Sequence, residues 1–299
     1  MKILFPCTSR VHKARQILLL KELAKNHEVK VVYLSTSAKD MGDIGGSYAV
    51  TFNKYIKEHK PDLIIIRGDR FEVLPLAMTA RYNNIPIAHI EGFDLSGVID
   101  NQVRYAVSYL SDYHFVTNDD SYRRAMAMGF KNVWDFGSLD VEYAMKVHDS
   151  FTKKKYIMVL YHPIAGEDDG EVLRAVEGIE LPIVGIKSNA DYGKKIYTEE
   201  FKPQQFIQLL KNASVLVGNS SAGIKEASIL GTPVVNIGDR QVNRLRTKNI
   251  KDCECNERDI EYFIQYQLTH GRYKPDHTYY KKDTSKKIAE VIDGLVFKK

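Results

Sequence analysis

The chain has 299 residues, a net charge of +5 and only three cysteines, and these figures exclude several classes of protein. Three cysteines in a chain of this length do not make a disulfide framework, and lysine runs interleaved with acidic residues are typical of solvated surface rather than of a nucleic-acid groove. The short apolar start, Met1-Lys2-Ile3-Leu4-Phe5, is too brief for a signal peptide or a membrane span, so the sequence predicts a cytoplasmic protein.

Short apolar runs alternate with longer segments of helical period, which is the pattern of parallel sheets built from strand–helix–strand units. In the first half we predict strands near 2–5, 29–34, 62–67, 85–90, 113–117 and 133–136, and helices near 13–26, 47–59, 71–83, 100–111 and 119–129. A second series begins at Lys155, with strands near 156–161, 181–187, 214–217 and 233–237 and helices near 167–177, 203–211 and 221–230. The predicted fold class is therefore α/β, with two Rossmann-like domains that face one another across a cleft.

The polar segment 145–154 lies between the two series, so we place the domain boundary there. This gives an N-terminal domain of residues 1–150 and a C-terminal domain of residues 151–299. A final helix near 284–296 could pack on either domain. In open parallel sheets, ligands bind beyond the carboxyl ends of the strands, so the residues that follow each predicted strand are the candidate site residues.

The stretch from Gly218 to Glu226 follows an apolar run, so it predicts a strand that delivers Ser220 and Ser221 to the start of a helix. A helix start has N–H groups without helical partners and carries partial positive charge, which suits a phosphate or diphosphate. The alternative is that one serine caps the helix, which serine does commonly. The stretch alone leaves both interpretations open.

Three carboxylates are predicted at the corresponding edge of the first half. Asp69 and Glu91 end consecutive strands, which lie about 4.8 Å apart, and Asp100 begins the next helix. When two carboxylates lie that near to each other, the pKa of at least one of them is raised, and a carboxyl group with a raised pKa suits proton transfer. Each also has a structural interpretation: Asp69 as a turn residue paired with Arg70, Asp100 as a helix N-cap, and Glu91 as a solvent-facing carboxylate.

Cationic side chains follow other strands. Arg10 follows the first strand, where no G-x-G-x-x-G occurs; this counts against NAD or FAD, and a guanidinium there could bind phosphate instead or simply lie at the surface. His162 is either a proton donor to a leaving group or a structural histidine. Arg240 and Arg244 follow the last predicted strand, where they either hold anionic groups or stay solvated.

Taken together, these motifs resemble the UDP-N-acetylglucosamine 2-epimerases, in particular the hydrolysing type that releases N-acetylmannosamine and UDP. In the first half the resemblance is carried by Gly68-Asp69-Arg70, His89-Ile90-Glu91-Gly92, Ser96-Gly97-Val98-Ile99-Asp100 with Arg104, and His114-Phe115-Val116-Thr117-Asn118. In the second half it is carried by Tyr161-His162-Pro163, Asn189-Ala190-Asp191-Tyr192-Gly193, the stretch from Gly218 to Glu226, and Val235-Asn236-Ile237-Gly238-Asp239-Arg240-Gln241 with Arg244.

The resemblance implies the glycosyltransferase-B architecture, with UDP bound mainly by the C-terminal half. It implies catalytic or near-catalytic roles for Asp69, Glu91 and Asp100, and a place near the diphosphate for His162. The implied substrate-binding residues are Arg10, Arg104, Asn189, Ser220, Ser221, Glu226, Arg240 and Arg244, with Glu226 at the ribose hydroxyls. The implied reaction needs no cofactor and no metal, and its partner is a UDP-sugar rather than a nucleic acid or a membrane. The sequence is compatible with a homo-oligomer.

Some positions depart from the family pattern. Phe93 stands where the family favours a second glycine, Tyr105 stands where the hydrolysing branch has histidine, and the segments 35–51 and 196–206 are short. A diacetamido sugar is therefore a further candidate substrate. Because the fold and a UDP site do not fix the chemistry, a glycosyltransferase and a UDP-sugar-binding protein without catalysis are alternatives.

Overall fold

The computed structural model describes residues 1–8, 16–97, 100–148, 155–164, 170–186 and 201–295. Contacts between residues divide the chain into two compact units. Unit 1 comprises Met1–Tyr143 and Tyr280–Lys299, and unit 2 comprises Ala144–Tyr279. The sequence analysis places a single boundary in the segment 145–154, whereas the contacts also assign the last residues of the chain to unit 1.

Unit 1 contains a parallel sheet of six strands in the order β2-β1-β3-β4-β5-β6. Its strands are β1 (Lys2–Cys7), β2 (Glu28–Tyr33), β3 (Leu63–Arg67), β4 (Ile87–Ile90), β5 (Tyr113–Val116) and β6 (Val133–Asp135). The helices among and after them are α1 (Ile17–Leu23), α2 (Met41–His59), α3 (Val73–Tyr82), α4 (Asp100–Leu110), α5 (Asp119–Ala127) and α6 (Leu139–Lys146).

Unit 2 contains a parallel sheet of five strands in the order β11-β10-β9-β7-β8. Its strands are β7 (Ile157–Leu160), β8 (Ile183–Gly185), β9 (Val215–Gly218), β10 (Val234–Ile237) and β11 (Ile250–Cys253). Its helices are α7 (Gly170–Glu177), α8 (Pro203–Asn212), α9 (Ser221–Ile224), α10 (Glu226–Leu230) and α11 (Glu257–His270). The prediction of an α/β fold with two parallel sheets is confirmed.

Four differences in the set of elements separate the structure from the sequence prediction. The strand β11 and the helices α6 and α11 are absent from it, and the single helix expected over 221–230 is interrupted at Lys225, whose backbone turns away at φ −92° and ψ −68°. The helix that follows Ser220 therefore has only one turn, α9. Its macrodipole is correspondingly small, because that dipole sums over aligned peptide units.

The last helix, α12 (Thr284–Asp293), belongs to the core of unit 1. Its Ile288 and Ile292 are buried with Leu19 and Leu23 of α1 and with Ile3 of β1. Hydrogen bonds attach it as well: for example, Ser285 donates from its backbone N–H and its hydroxyl to the Glu142 carboxylate, at 2.9 and 3.1 Å. The C-terminal end of the described chain thus supplies one side of the core that the N-terminal strand begins.

Alternate residues of the strands fill the two faces of the sheet, since successive side chains point to opposite sides. In β1, Ile3 and Phe5 lie in one core cluster and Leu4 lies in the other. Both faces are covered, which explains why the central strands read as continuous apolar runs. Among the described helices, none combines the length and the apolarity that crossing a membrane requires.

The same strand order occurs in both sheets, and it defines one switch point in each. The chain runs outward from β1 to β2 and then in the opposite direction from β3 to β6; likewise it runs from β7 to β8 and then from β9 to β11. Ligands of open α/β sheets bind at the carboxyl ends of the strands where the order reverses. The candidate sites are therefore the ends of β1 and β3 in unit 1 and the ends of β7 and β9 in unit 2.

Candidate active site

At the switch point of unit 1, the turn after β3 presents Asp69. Gly68 turns the chain with φ +77°, in the region that glycine adopts without strain. The Asp69 carboxylate then forms an ion pair with Arg104 of α4, whose side chain is 1% exposed. Arg104 also donates to the carbonyl oxygen of Asp94 and, at 2.8 Å, to Asn101 Oδ1. These bonds tie the turn to α4.

This pairing differs from the structural interpretation of Asp69 as a partner of Arg70. Arg70 instead pairs with Glu72, at 2.7 Å between Nε and Oε1. Arg104 is among the substrate-binding residues that the resemblance implies. In the structure its guanidinium pairs with Asp69 and donates to the Asp94 carbonyl oxygen in the loop before α4. The structure therefore brings Asp69 and Arg104 together at the same edge.

Glu91 follows β4 and forms a second buried ion pair. Its Oε1 accepts from Arg67 Nη2 at 3.0 Å and from the Ser138 hydroxyl at 3.2 Å, and the same Arg67 nitrogen donates to Asp140 Oδ2 at 2.5 Å. Burial lowers the pKa of Arg67, but Asp140 and then Glu91 outweigh that effect, so the pKa is raised and Arg67 stays charged. Glu91 itself has φ +65°, which is uncommon for a residue with a side chain.

The contacts of His89 account for the histidine and the glycine, His89 and Gly92, of the motif around Glu91. Its Nε2 lies 2.8 Å from the Gly68 carbonyl oxygen and its Nδ1 lies 3.0 Å from the Ser108 hydroxyl, so a neutral ring with the proton on Nε2 satisfies both. Burial lowers the pKa of His89 to about 4. A Cβ on Gly92 would lie 2.9 Å from both His89 Nδ1 and Ser108 Oγ. Glycine at 92 therefore leaves room for the bond between His89 and Ser108, which orients the ring whose other nitrogen binds the Gly68 carbonyl oxygen.

Phe93, one of the departures from the family pattern, is fully buried and packs edge-on against His114 and Phe130, with ring centroids 5.4 and 4.7 Å away. Its φ of +65° explains why the family favours glycine at this position. Tyr105 packs against the same ring. Asp100 is the first residue of α4 and is half-buried, as the sequence analysis predicts for its position.

At the switch point of unit 2, Gly218 and Asn219 bridge β9 to β7. Gly218 has φ +147°, and a Cβ there would lie 2.0 Å from the Leu160 carbonyl oxygen. This close approach lets the buried Asn219 side chain bind both backbone groups of His162: it accepts from the N–H at 2.7 Å and donates to the carbonyl oxygen at 2.8 Å. The amide therefore fixes where the buried His162 sits.

The loop after β10 holds the same asparagine from the other side. The carbonyl oxygen of Asn219 accepts from Arg240 Nη1 at 3.2 Å and from Gln241 Nε2 at 2.9 Å. Ser220 is the N-cap of α9, and its hydroxyl accepts from the Ala222 N–H at 3.3 Å. Ser221 is the first residue of α9. Of the two serines, Ser220 thus performs the capping role.

The remaining predicted residues of this half are placed as follows. Glu226 begins α10 and is 1% exposed. The neighbouring Lys225 is also buried, at 4% exposed, and is not among the predicted site residues. Arg244 is half-buried in the loop after β10, and its backbone N–H donates to Gln241 at 3.3 Å. Arg10 and Asn189 lie outside the described residues. In the part of the chain that the structure describes, no three His, Cys, Asp or Glu side chains form a metal-binding cluster.

Three residues of the two edges are missing from the predicted site: Arg67, Asp140 and Gln241. A signal for Arg67 exists in the sequence, because it ends the otherwise apolar run Leu63-Ile64-Ile65-Ile66-Arg67. A charge in a strand that is buried along its whole length needs a buried partner. The partners, Glu91 and Asp140, are too far along the chain for spacing to reveal them.

The chain contains two parallel sheets with helices on both faces, and the five strands of unit 2 follow the order of the first five strands of unit 1. Each sheet has polar side chains at its switch point. This architecture is that of a two-domain α/β protein of the glycosyltransferase-B type. The chain belongs to the family described as UDP-N-acetylglucosamine 2-epimerase, whose sequence profile matches residues 15–293. The family resemblance drawn from the motifs is thereby confirmed.

Two relatives are each 30% identical to this chain. One is "UDP-N,N'-diacetylbacillosamine 2-epimerase (hydrolyzing)" of Legionella pneumophila, over 284 residues that cover 84% of this chain and 75% of the relative. The other is "UDP-N-acetylglucosamine 2-epimerase" of Neisseria meningitidis serogroup B, over 289 residues that cover 85% of this chain and 77% of the relative.

Solved structures share the fold at lower identity. The UDP-GlcNAc 2-epimerase of Neisseria meningitidis bound to UDP-GlcNAc superposes with a TM-score of 0.80 and 15% identity, covering 99% of this chain and all of the other. The Methanocaldococcus jannaschii UDP-GlcNAc 2-epimerase in complex with UDP-GlcNAc and UDP gives 0.77 and 17% identity, covering 98% and 99%.

Proposed function

We propose that this protein is a hydrolysing 2-epimerase that converts UDP-N-acetylglucosamine, or a related N-acetylated UDP-sugar, into UDP and the free 2-epimeric sugar. In this reaction the bond from C1 to the UDP oxygen breaks and the C2 proton is removed, which leaves a glycal-like intermediate. Water then adds at C1, and a proton returns to the opposite face of C2.

The observation that carries the proposal is the buried ion-paired carboxylate of Glu91 at the carboxyl edge of the unit 1 sheet, just after the strand next to β3. Glu91 is fixed by Arg67 and Ser138 beyond the end of β4, where a ligand of this fold class binds. A positioned carboxylate contributes about 10²–10⁴-fold to proton transfer. We assign Glu91 and Asp100 to the acid–base steps, and we assign Asp69 with Arg104 to holding the turn and the sugar beside them.

In unit 2 we assign the UDP portion to the end of β9 and the loop after β10. The hydroxyl of Ser221 and the guanidinium groups of Arg240 and Arg244 suit a diphosphate, since charge-assisted hydrogen bonds to phosphate are the strong ones. The proposed role of His162 is to donate a proton as the UDP oxygen departs. By the family resemblance we add Arg10 and Asn189 to this set, and Glu226 at the ribose hydroxyls.

The hydrolysing outcome is supported by named relatives. Those of Legionella pneumophila and Campylobacter jejuni, 30% and 28% identical to this chain, are both described as hydrolysing. The first acts on a diacetamido UDP-sugar by its name, and the equally similar Neisseria relative is named for UDP-N-acetylglucosamine. Both sugars therefore belong in the first substrate panel.

The proposal is tested by incubating the protein with UDP-N-acetylglucosamine and UDP-N,N'-diacetylbacillosamine in D₂O. We expect UDP and a free sugar in equal amounts, with deuterium at C2 of the product by mass spectrometry. Epimerised UDP-sugar without free UDP would contradict the hydrolytic step. Turnover that needs an acceptor and leaves C2 unlabelled would indicate a glycosyltransferase, and UDP binding without turnover would indicate a binding protein.

The assignment of the carboxylates is tested separately. We expect Glu91→Gln and Asp100→Asn each to lower turnover by about 10²–10⁴-fold while UDP binding by calorimetry is kept. Glu58→Gln is the matched control, because Glu58 is an exposed carboxylate of α2. Normal turnover by both carboxamide variants would refute the assignment even if the reaction itself is correct.

A further inference from the structure

A buried charge cluster lies behind Glu91, and the steps proposed above do not use all of it. Arg67 binds both Glu91 and Asp140 through one nitrogen, Nη2, and the three side chains are 7%, 11% and 5% exposed. Removing a charge from water costs several kcal/mol per ion unless close partners compensate. Folding alone therefore gives little reason to place an arginine at the end of the apolar strand β3.

The cluster fixes the orientation of the Glu91 carboxylate. Among the described residues, the Arg67 guanidinium from β3 and the Ser138 hydroxyl from the residue before α6 donate to its Oε1. Ser138 also accepts from the backbone N–H of Asp140 at 3.3 Å, so the start of α6 and the carboxylate are held by the same side chain. A carboxylate held from two elements keeps one orientation, which proton transfer requires.

We propose that Arg67 is a positioning residue for the reaction: it orients the Glu91 carboxylate and keeps it ionised, while Asp140 limits how much positive charge Glu91 receives. The inference rests on the proposed function, because that function assigns proton transfer to Glu91. A cation close to a carboxylate favours the ionised form, and a second carboxylate disfavours it. In the ion pairs that the structure describes here, the single positive charge of Arg67 faces the two negative charges of Glu91 and Asp140.

The groups around Glu91 come from several elements. Arg67 lies at the end of β3, Asp140 in α6, and His89 on β4 itself; burial keeps His89 neutral by lowering its pKa to about 4. Beyond the turn after β3, Asp69 is neutralised by Arg104. Removing the charge of Arg67 and removing that of Asp140 should therefore affect Glu91 in opposite directions.

The test compares the pH dependence of kcat in Arg67→Met, Asp140→Asn and the parent protein. We expect the acid limb to move to higher pH by about one unit in Arg67→Met and to lower pH in Asp140→Asn. KM for the UDP-sugar should change little, because neither side chain is proposed to touch the substrate. Arg67→Lys keeps the charge, so its acid limb should stay near that of the parent while kcat falls through lost geometry.

Glu142→Gln is the matched control, because Glu142 is a buried carboxylate of the same helix but binds Ser285. It should leave the acid limb unmoved. A purely structural role for Arg67 predicts lower thermal stability in the three variants of Arg67 and Asp140 and no shift in the limb. Limbs that shift in the same direction in Arg67→Met and Asp140→Asn, or that do not shift, would overturn the proposal.

A second readout does not depend on turnover. In protein labelled with [δ-¹³C]glutamate, the Glu91 resonance is identified by its loss in Glu91→Gln and is titrated by NMR in the parent and in Asp140→Asn. We expect its midpoint to fall in Asp140→Asn, and an unchanged midpoint would refute the proposal even if Arg67→Met fails to fold. If the parent turns over no UDP-sugar, the proposed function fails, while this titration still tests whether the charge of Asp140 changes the ionisation of Glu91.

Discussion

The two switch points are built from different interactions. In unit 1 the edge is held by charges: Arg104 pairs with Asp69, and Arg67 pairs with Glu91 and Asp140, all with little exposure except Asp69 at 22%. In unit 2 the edge is held by side-chain bonds to the backbone: the Asn219 amide binds His162, and the Gln241 amide and the Arg240 guanidinium bind the Asn219 carbonyl oxygen.

The difference shows what each edge is sensitive to. Removing one partner of a buried ion pair leaves an uncompensated charge, so unit 1 should respond most to changes of charge. Side-chain bonds to the backbone fix the path of the chain, so unit 2 should respond most to changes of shape. An edge that presents ionised groups suits proton transfer, whereas an edge that presents a fixed backbone suits the binding of an anion.

The largest effect is expected where unit 2 has no space. Gly218→Ala should destabilise the protein by roughly 4 kcal/mol or more, because its Cβ would lie 2.0 Å from the Leu160 carbonyl oxygen. Urea unfolding followed by circular dichroism measures the change. In Gly178→Ala of the same unit, the nearest atom to the new Cβ is 3.7 Å away, and stability should stay near that of the parent. Equal stabilities of the two variants would contradict a sterically determined edge.

The second-largest loss of stability is expected from the removal of a buried charge in unit 1. Arg104→Met leaves Asp69 without its ion pair and the Asp94 carbonyl without its donor, and should cost about 3–5 kcal/mol of unfolding free energy. Arg123→Met removes an exposed pair with Asp119 and should cost about 0.3–0.5 kcal/mol. Chemical denaturation of both variants measures the contrast, and similar costs would show that burial of the charge is unimportant.

The next effect depends on pH. His89 in the folded chain has a pKa of about 4, below the ordinary value of 6.5, so the unfolded chain binds one more proton between those values. Stability from this group is therefore complete above pH 6.5 and is lost as the pH falls towards 4, by at most about 3 kcal/mol. We expect unfolding free energies of His89→Asn to vary less over this range than those of the parent. Parallel curves would exclude the effect, and His270→Asn controls for the loss of an exposed histidine.

The smallest effect separates the two serines of unit 2. Ser220→Ala removes the cap of α9 and should lower stability by about 1 kcal/mol. Ser221→Ala should leave stability within about 0.5 kcal/mol of the parent and instead weaken UDP binding. Thermal unfolding and calorimetric titration with UDP measure the two properties. The reverse assignment, with Ser221 required for stability and Ser220 for UDP, would show that the capping bond is not the important one.

Most of the sheet is predictable because burial on both faces leaves a direct record in the sequence. Leu63–Ile66 consists of apolar residues, as does Ile87–Ile90 apart from His89, and these runs form central strands. The edge strand β11 is missed for the same physical reason: Ile250-Lys251-Asp252-Cys253 is only partly buried and pairs with one neighbour, so it carries charged residues.

The candidate site is predictable in position but not in pairing. Strand ends indicate Asp69, Glu91 and Ser220 because the C-terminal edge of a parallel sheet is fixed by topology. The partners of these groups depend on which helix packs beside them, as with Asp69 and Arg104 or with Glu91, Arg67 and Asp140. Strand spacing alone predicts that Asp69 and Glu91 lie near each other. It does not predict that Asp69 pairs with Arg104 and Glu91 with Arg67.

Because α12 packs in the core of unit 1, that core cannot be completed until late in the synthesis of the chain. Synthesis proceeds from the N-terminus, yet Ile288 and Ile292 complete the core that Ile3 and Leu19 begin. At the usual rate of translation, the ribosome needs on the order of 10 s to make the residues of unit 2 that come between. During that time the apolar face of α1 and β1 lacks its last helix, so the core of unit 1 is completed only after the residues of unit 2 have been synthesised.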